Sequence, residues 1–266
     1  MNKYILIAIL TVSVVLGLNN IQAEAIPESY EQMKRDSVEM VHIKADKFLM
    51  GSKLDEGRPD ERPQRNIFLN GYSIDMHEVS NQRYLHFIQK TERKEPPNSY
   101  SDGLLSKESG IKNLPVVQVT WYDAVDYCRW TGKRLPTEAE WEKAARGKHG
   151  NTYPWGSELM SNKSVNFDKD WEGIKTLWPV DGYPESSSVY GIKNMSGNVR
   201  EWVSDWYAPD YYQNAPTKNP PGPQTGILKV IKGGSWHSFK SDIRPASRGK
   251  GGFALKTDGI GFRCAK

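Results

Sequence analysis

The sequence contains only two cysteines among its 266 residues. Two thiols are too few for a four-thiolate zinc site or for a small domain held together by several disulfides. Neither sign of charge dominates, because 36 basic and 32 acidic residues leave a net charge of +4. An excess of this size, spread over this length, does not predict a nucleic-acid groove. A mean hydropathy of -0.68 excludes a protein with several membrane spans.

Aromatic side chains, in contrast, are abundant: the chain has nine Trp, 13 Tyr and seven Phe. An aromatic content of 11% argues against a disordered chain. The length is sufficient for one large hydrophobic core. We therefore expect a folded, aromatic-rich globular protein.

The first 25 residues are typical of a secretory signal peptide. Lys3 precedes an apolar stretch over residues 4–18, and Ala23-Glu24-Ala25 fits cleavage after Ala23 or Ala25. The alternative is a retained membrane anchor, which would need about 20 apolar residues to span a bilayer. We expect a periplasmic or secreted protein without a stable membrane span after cleavage.

The rest of the chain is organised as a short lead-in over residues 26–37 and one domain over residues 38–266. Apolar patterns predict strands over 40–50 and 67–76, and the charged, proline-interrupted stretch between them, 53–64, predicts a surface loop. Residues 147–236 show little periodicity. The pattern indicates an α+β domain with much irregular structure.

Three helices are predicted from their capping residues. Ser80 and Thr120 are suitable N-caps for the first two. Thr137 and Glu140 form a capping box that opens the third helix, which should end at Gly147.

Several specific motifs follow one another in a fixed order along the chain. They are RLPTEAEWE at 134–142, YPWG at 153–156, GNVREW at 197–202, GGSW at 233–236 and GFRC at 261–264. Their order and content are similar to those of the formylglycine-generating enzyme family, also called sulfatase-modifying factors, over residues 38–266. This resemblance implies a compact α+β domain related to C-type lectins.

The resemblance also shows what this chain lacks. Catalytic members carry two cysteines shortly after the GGS segment, and these bind copper and perform the redox chemistry. Here Ser238 and Lys240 stand at the best matching positions, and neither side chain supplies the thiolate that Cu(I) prefers. Arg200 replaces a tryptophan of the family's pocket. We therefore expect no copper and no formylglycine generation.

The same resemblance places the family's active-site surface on six residues of this chain. Their arginines would suit a carboxylate, sulfate or phosphate ligand. Alternatively, the arginines are buried partners of acids such as Glu138. A serine next to a histidine also hints at a nucleophile and base, but adjacent side chains usually point apart and no acid partner is evident. The six residues are Arg200, Trp236, His237, Ser238, Arg244 and Arg248.

Cys128 and Cys264 match a structural disulfide of the family, and export would favour such a pair. The alternatives are metal ligation and free thiols.

Two calcium sites are implied by the resemblance, since calcium prefers mixed carboxylate, amide and carbonyl oxygens. The alternative for the first is a turn stabilised by the side chains of Asn194 and Asn198 alone. The first set is Asn194, Gly197, Val199 and Glu201, and the second, a weaker match, is Asn166, Phe167, Asp170 or Glu172, and Ile174. No paired histidine spacing predicts zinc or iron.

Three functions follow from these observations. We expect a binding or accessory domain, in effect a pseudoenzyme, that recognises a peptide, a glycan or an exported protein and no nucleic acid. The second is an enzyme of different chemistry on the same scaffold, as in exported relatives implicated in maturing a siderophore chromophore, which also lack the cysteine pair. The third is an assembly factor for an exported enzyme complex.

Overall fold

The structure, a computed structural model, describes residues 38–266. The predicted signal peptide and lead-in, 1–25 and 26–37, lie outside the described residues. Short strands and helices are joined by long irregular segments, as expected for an α+β domain rich in irregular structure. The elements are β1 (Met40–Ile43), β2 (Asp46–Met50), β3 (Arg65–Leu69), β4 (Tyr72–Asp75), α1 (Asn81–Thr91), α2 (Trp121–Trp130), α3 (Glu138–Arg146), β5 (Arg200–Trp206), α4 (Tyr211–Asn214), β6 (Lys229–Lys232), β7 (Gly249–Gly251) and β8 (Ile260–Gly261).

The two long strands predicted near the start of the domain are each broken in two. β1 pairs with β4 and β2 pairs with β3, both antiparallel. The breaks lie opposite each other, because Ile43 pairs with Tyr72 before them and Asp46 with Leu69 after them. One long hairpin therefore becomes two separate two-stranded sheets.

The capping predictions hold for two of the three helices. Thr120 and Thr137 both form capping boxes, with Glu140 bonded back to the Thr137 amide at 2.8 Å. Gly147 ends α3 with a φ of 70°. Ser80 precedes α1 but makes no capping bond, since its hydroxyl instead contacts Arg83 Nε at 3.4 Å.

A four-stranded sheet in the order β7-β6-β5-β8 supports the second half of the domain. One of its two central strands, β5, is not predicted, because residues 147–236 show little periodicity. Trp202 and Val203 are both fully buried, so successive side chains on opposite faces are apolar. A strand buried on both faces loses the alternation that reveals strands in a sequence.

Cys128 and Cys264 form the predicted disulfide. Both residues are completely buried. The bond ties α2 to the segment that follows β8.

No helix within residues 38–266 is long and apolar enough to cross a membrane.

Candidate functional site

The candidate site lies where the segment after β6 meets the start of β5. Gly233 and Gly234 have φ values of 93° and 70°, which L-residues with side chains rarely adopt. A Cβ at Gly233 would also lie 3.0 Å from the Trp141 ring. This glycine turn directs residues 235–238 toward Arg200.

Four of the six predicted pocket residues come together here. Arg200 Nη2 donates to Ser238 Oγ at 2.9 Å. Trp236 is buried, with its ring centroid 4.7 Å from that of the exposed His237. Trp236 Nε1 donates to the Asp258 carbonyl at 3.2 Å, which fixes the indole.

Ser238 and His237 do not touch directly, and Ser235 connects them. Ser238 Oγ accepts from the Ser235 amide at 2.9 Å and lies 3.1 Å from Ser235 Oγ. Ser235 Oγ in turn lies 3.2 Å from His237 Nδ1. Ser238 Oγ accepts hydrogen bonds from Arg200 and from the Ser235 amide, which uses both of its lone pairs. Its own hydroxyl hydrogen can therefore be donated to Ser235 Oγ. Ser235 then donates to His237 Nδ1.

The other two predicted pocket residues are arginines held by acids. Arg248 is buried and its guanidinium forms two bonds to Glu138, at 2.7 and 3.0 Å. Arg244 Nη2 lies 2.9 Å from a carboxylate oxygen of the buried Glu61. These two side chains pair with acids more than 100 positions away in sequence, which fits the alternative interpretation of the arginines as structural partners.

One further residue of this region was missed by the sequence analysis. Arg58, in the loop between β2 and β3, bonds Ser247 Oγ at 2.8 Å and lies 3.3 Å from Asp242. Burial lowers the pKa of Arg200, and the charge of Arg58 adds to this effect while Asp242 opposes it. Nothing in the charged loop sequence distinguishes Arg58 from its exposed neighbours.

A separate groove of about 1080 Å³ runs beside α1. His77, Arg83 and Lys112 line it, and none of the six predicted pocket residues does. The candidate site is therefore a surface cluster distinct from this groove.

Comparison with known proteins assigns the chain to a family. The family described as the sulfatase-modifying factor enzyme 1-like domain matches residues 26–266. The chain belongs to this family.

Individual relatives have different names. Serine/threonine-protein kinase Pkn1 of Chlamydia trachomatis is 37% identical over 265 residues, covering 91% of this chain and 42% of the relative. The chain thus spans about two fifths of the length of the chlamydial relatives it matches. The formylglycine-generating enzyme of Streptomyces coelicolor is 33% identical over 280 residues, covering 85% of this chain and 88% of the relative. The solved structure of PvdO from Pseudomonas aeruginosa has a TM-score of 0.71 at 27% identity, covering 85% of this chain and 93% of that chain.

Two side chains of the first predicted calcium set of this sulfatase-modifying-factor domain, Glu201 and Asn194, make buried hydrogen bonds. Glu201 accepts two bonds of 2.7 Å from the buried Arg263 and one of 2.8 Å from Trp141 Nε1. Asn194 Nδ2 donates to Glu78 at 2.7 Å. Burial, and then the charge of Glu201, raises the pKa of Glu78 to about 8. A calcium ion at this position would compete with a guanidinium for Glu201.

The second predicted set offers an unused ligand atom. Asn166 Nδ2 donates to the Thr176 carbonyl at 2.8 Å and to Asn198 Oδ1 at 3.0 Å, which fixes the orientation of its amide. Among residues 38–266, Asn166 Oδ1 is then left buried without a hydrogen-bond partner. A buried amide oxygen in this state fits a cation ligand.

Within the described residues, no cluster of three His, Cys, Asp or Glu side chains could hold a metal. A cation at Asn166 would therefore have at most two carboxylate ligands and would otherwise depend on amide and backbone oxygens.

Proposed function

We propose that this domain is a binding or accessory member of the sulfatase-modifying factor family that does not generate formylglycine. The observation that carries the proposal is the bond of 2.9 Å between Arg200 and Ser238. Ser238 stands at the position that the resemblance assigns to the first copper cysteine. A hydroxyl that accepts a hydrogen bond from a guanidinium is a poor ligand for Cu(I), which prefers thiolates.

The test is a direct assay for the absent chemistry. Purified protein is incubated with Cu(I), oxygen and a peptide carrying a sulfatase cysteine, and the peptide mass and bound copper are measured. The Streptomyces coelicolor enzyme serves as the positive control. We expect unchanged peptide and no stoichiometric copper. Conversion of the cysteine, or one tightly bound copper per chain, would overturn the proposal.

A second candidate function is an enzyme of different chemistry on the same scaffold. The chain of hydrogen bonds from Ser238 through Ser235 to His237 supports it, because such a chain can move a proton between a hydroxyl and an imidazole. Oxygen consumption with candidate peptides, compared between the wild type and Ser238→Ala, tests it. Turnover that depends on Ser238 would favour this candidate over the binding domain.

We also propose that the protein works in an oxidising compartment, the periplasm or the medium. The disulfide between Cys128 and Cys264 supports this, since such bonds persist mainly in exported proteins. Cell fractionation of the full chain is the measurement. Recovery of the protein with reduced thiols in the cytosol would contradict the assignment.

Calcium is proposed as a structural ion in the loop over residues 166–176. Asn166 Oδ1, the Phe167 and Ile174 carbonyls, and Asp170 or Glu172 would hold it. A bound ion would add positive charge that fixes this irregular loop.

Titration calorimetry with CaCl₂ measures the stoichiometry. We expect Asn166→Ala to lose one bound ion and Asn194→Ala to keep it. The absence of calcium binding to the wild type, or equal binding by Asn166→Ala, would refute this site.

A further inference from the structure

Three arginines gather at the candidate site, and only two of them have a carboxylate in contact. Arg58 lies within ion-pair distance of three acids, Asp242 at 3.3 Å, Glu61 at 3.4 Å and Asp60 at 4.0 Å. Arg244 pairs with Glu61 at 2.9 Å. Among the described residues, no acid lies within ion-pair distance of Arg200, whose recorded partner is the hydroxyl of Ser238. Asp242 acts on Arg200 only at longer range, raising its pKa against the larger effect of burial. Arg200 is therefore the one of these three arginines without a carboxylate in direct contact.

The guanidinium of Arg200 still has free hydrogen-bond donors. Arginine carries five N–H donors, and the bond to Ser238 uses one. Arg200 is half-buried, yet none of its nitrogens is a buried atom lacking a partner. Its remaining donors therefore keep at least partial exposure to solvent.

His237 adds a second donor beside Arg200. Because Ser235 donates to His237 Nδ1, the imidazole hydrogen resides on Nε2. Burial and then the charge of Arg200 lower the pKa of His237, while Asp258 acts in the opposite direction, and the net lowering favours the neutral ring. A Cβ on residue 259 would lie 2.8 Å from His237 Cε1, so Gly259 provides the space for this ring.

We propose that Arg200 and His237 form a binding site for a carboxylate group of a partner molecule. A carboxylate would supply the ion-pair partner that Arg200 lacks, whereas a phosphate dianion would bring two negative charges to one half-buried guanidinium. Two carboxylate oxygens also match one guanidinium and one imidazole donor. The proposal deepens the proposed function, because it names the ligand chemistry of the same surface.

The test uses the full mature chain and small probes. The imidazole signals of His237 are followed by NMR during titration with acetate, with acetamide as the neutral isostere, and with inorganic phosphate and sulfate. We expect saturable shifts with acetate and none with acetamide. Arg200→Gln should weaken acetate binding at least tenfold, while Arg129→Gln, which removes one exposed arginine elsewhere, should leave binding unchanged.

Two outcomes would overturn the proposal: no saturable binding of acetate, or equal binding by Arg200→Gln. Tighter binding of phosphate or sulfate than acetate would refute the assignment to a carboxylate. Thermal unfolding and NMR spectra establish that Arg200→Gln is folded. Should it fail to fold, His237→Gln provides the second variant, with an expected loss of at least threefold.

These outcomes are separate from those of the proposed function. Peptide conversion by the wild type would refute the binding-domain proposal even if acetate binds. Failure of acetate to bind would leave the absence of copper chemistry unaffected.

Discussion

Replacing Arg263 with methionine is expected to lower the free energy of unfolding by about 3–5 kcal/mol, the usual cost of leaving a buried charge unpaired. Arg263 is fully buried and donates two bonds of 2.7 Å to Glu201. Its remaining donors reach the carbonyls of Asp75, Met76 and Lys193. Without the guanidinium, Glu201 would keep only the bond from Trp141 Nε1.

Urea unfolding of a double-mutant cycle isolates the pair. Glu201→Gln alone should also destabilise the domain, because it leaves Arg263 buried without its counter-charge. The double variant should lose less than the sum of the two single losses, since neither charge remains unpaired. Arg129→Met, at an exposed arginine, is the control and should change stability by less than about 0.5 kcal/mol.

The cycle also distinguishes the two cations that compete for Glu201. If Arg263 is its main counter-charge, adding calcium or a chelator should leave the loss in Arg263→Met nearly unchanged. A loss below about 1 kcal/mol in the presence of calcium, rising after chelation, would show that calcium takes this role and would refute our reasoning.

Three other predictions concern local features. Removing the disulfide with Cys128→Ala and Cys264→Ala should cost about 5 kcal/mol by loop-closure entropy, because the bonded cysteines are 136 positions apart; equal urea midpoints for oxidised and cysteine-free protein would contradict this. Thr137→Ala should cost about 1 kcal/mol and Ser80→Ala much less, because only Thr137 accepts a capping bond; equal losses on urea unfolding would show that the capping assignment is wrong. Burial, and then the charge of Glu138, raises the pKa of Asp205 from 3.8 to about 7. Its contribution to stability is thus present below pH 4 and lost as pH rises to 7, and Asp205→Asn should remove that loss, at most about 4 kcal/mol. If the free energy of unfolding changed with pH in the same way in the wild type and in Asp205→Asn, this prediction would be refuted.

Local chemistry explains which parts of the fold were predictable from the sequence. The Thr120 and Thr137 caps act within four residues, so a short window contains both bonding partners. The break at residues 44–45 depends on pairing with residues about 25 positions further along, which periodicity does not report. β5 could not be predicted from periodicity either, because its burial on both faces removes the alternation of polar and apolar side chains.

The candidate site follows the same division. The order of motifs placed Arg200, Trp236, His237 and Ser238 on one surface, and the structure brings them together. The partners of the arginines were harder to predict. Arg248 pairs with Glu138, 110 positions away, and Arg244 pairs with Glu61, 183 positions away. Which acid an arginine pairs with depends on which carboxylate is buried near it in the folded core, and the local sequence does not report this.

The differences from the catalytic pattern at positions 200 and 238 make physical sense as a pair. A half-buried arginine at position 200 needs a polar acceptor, and the Ser238 hydroxyl provides one at 2.9 Å. Beside a tryptophan, the same hydroxyl would keep only the bond from the Ser235 amide and its contact with Ser235 Oγ. The two residues together replace an apolar wall and a thiol with a positive charge held at a fixed position. If the proposed loss of the copper ligand is correct, this surface would offer a guanidinium donor where the catalytic members have a thiolate.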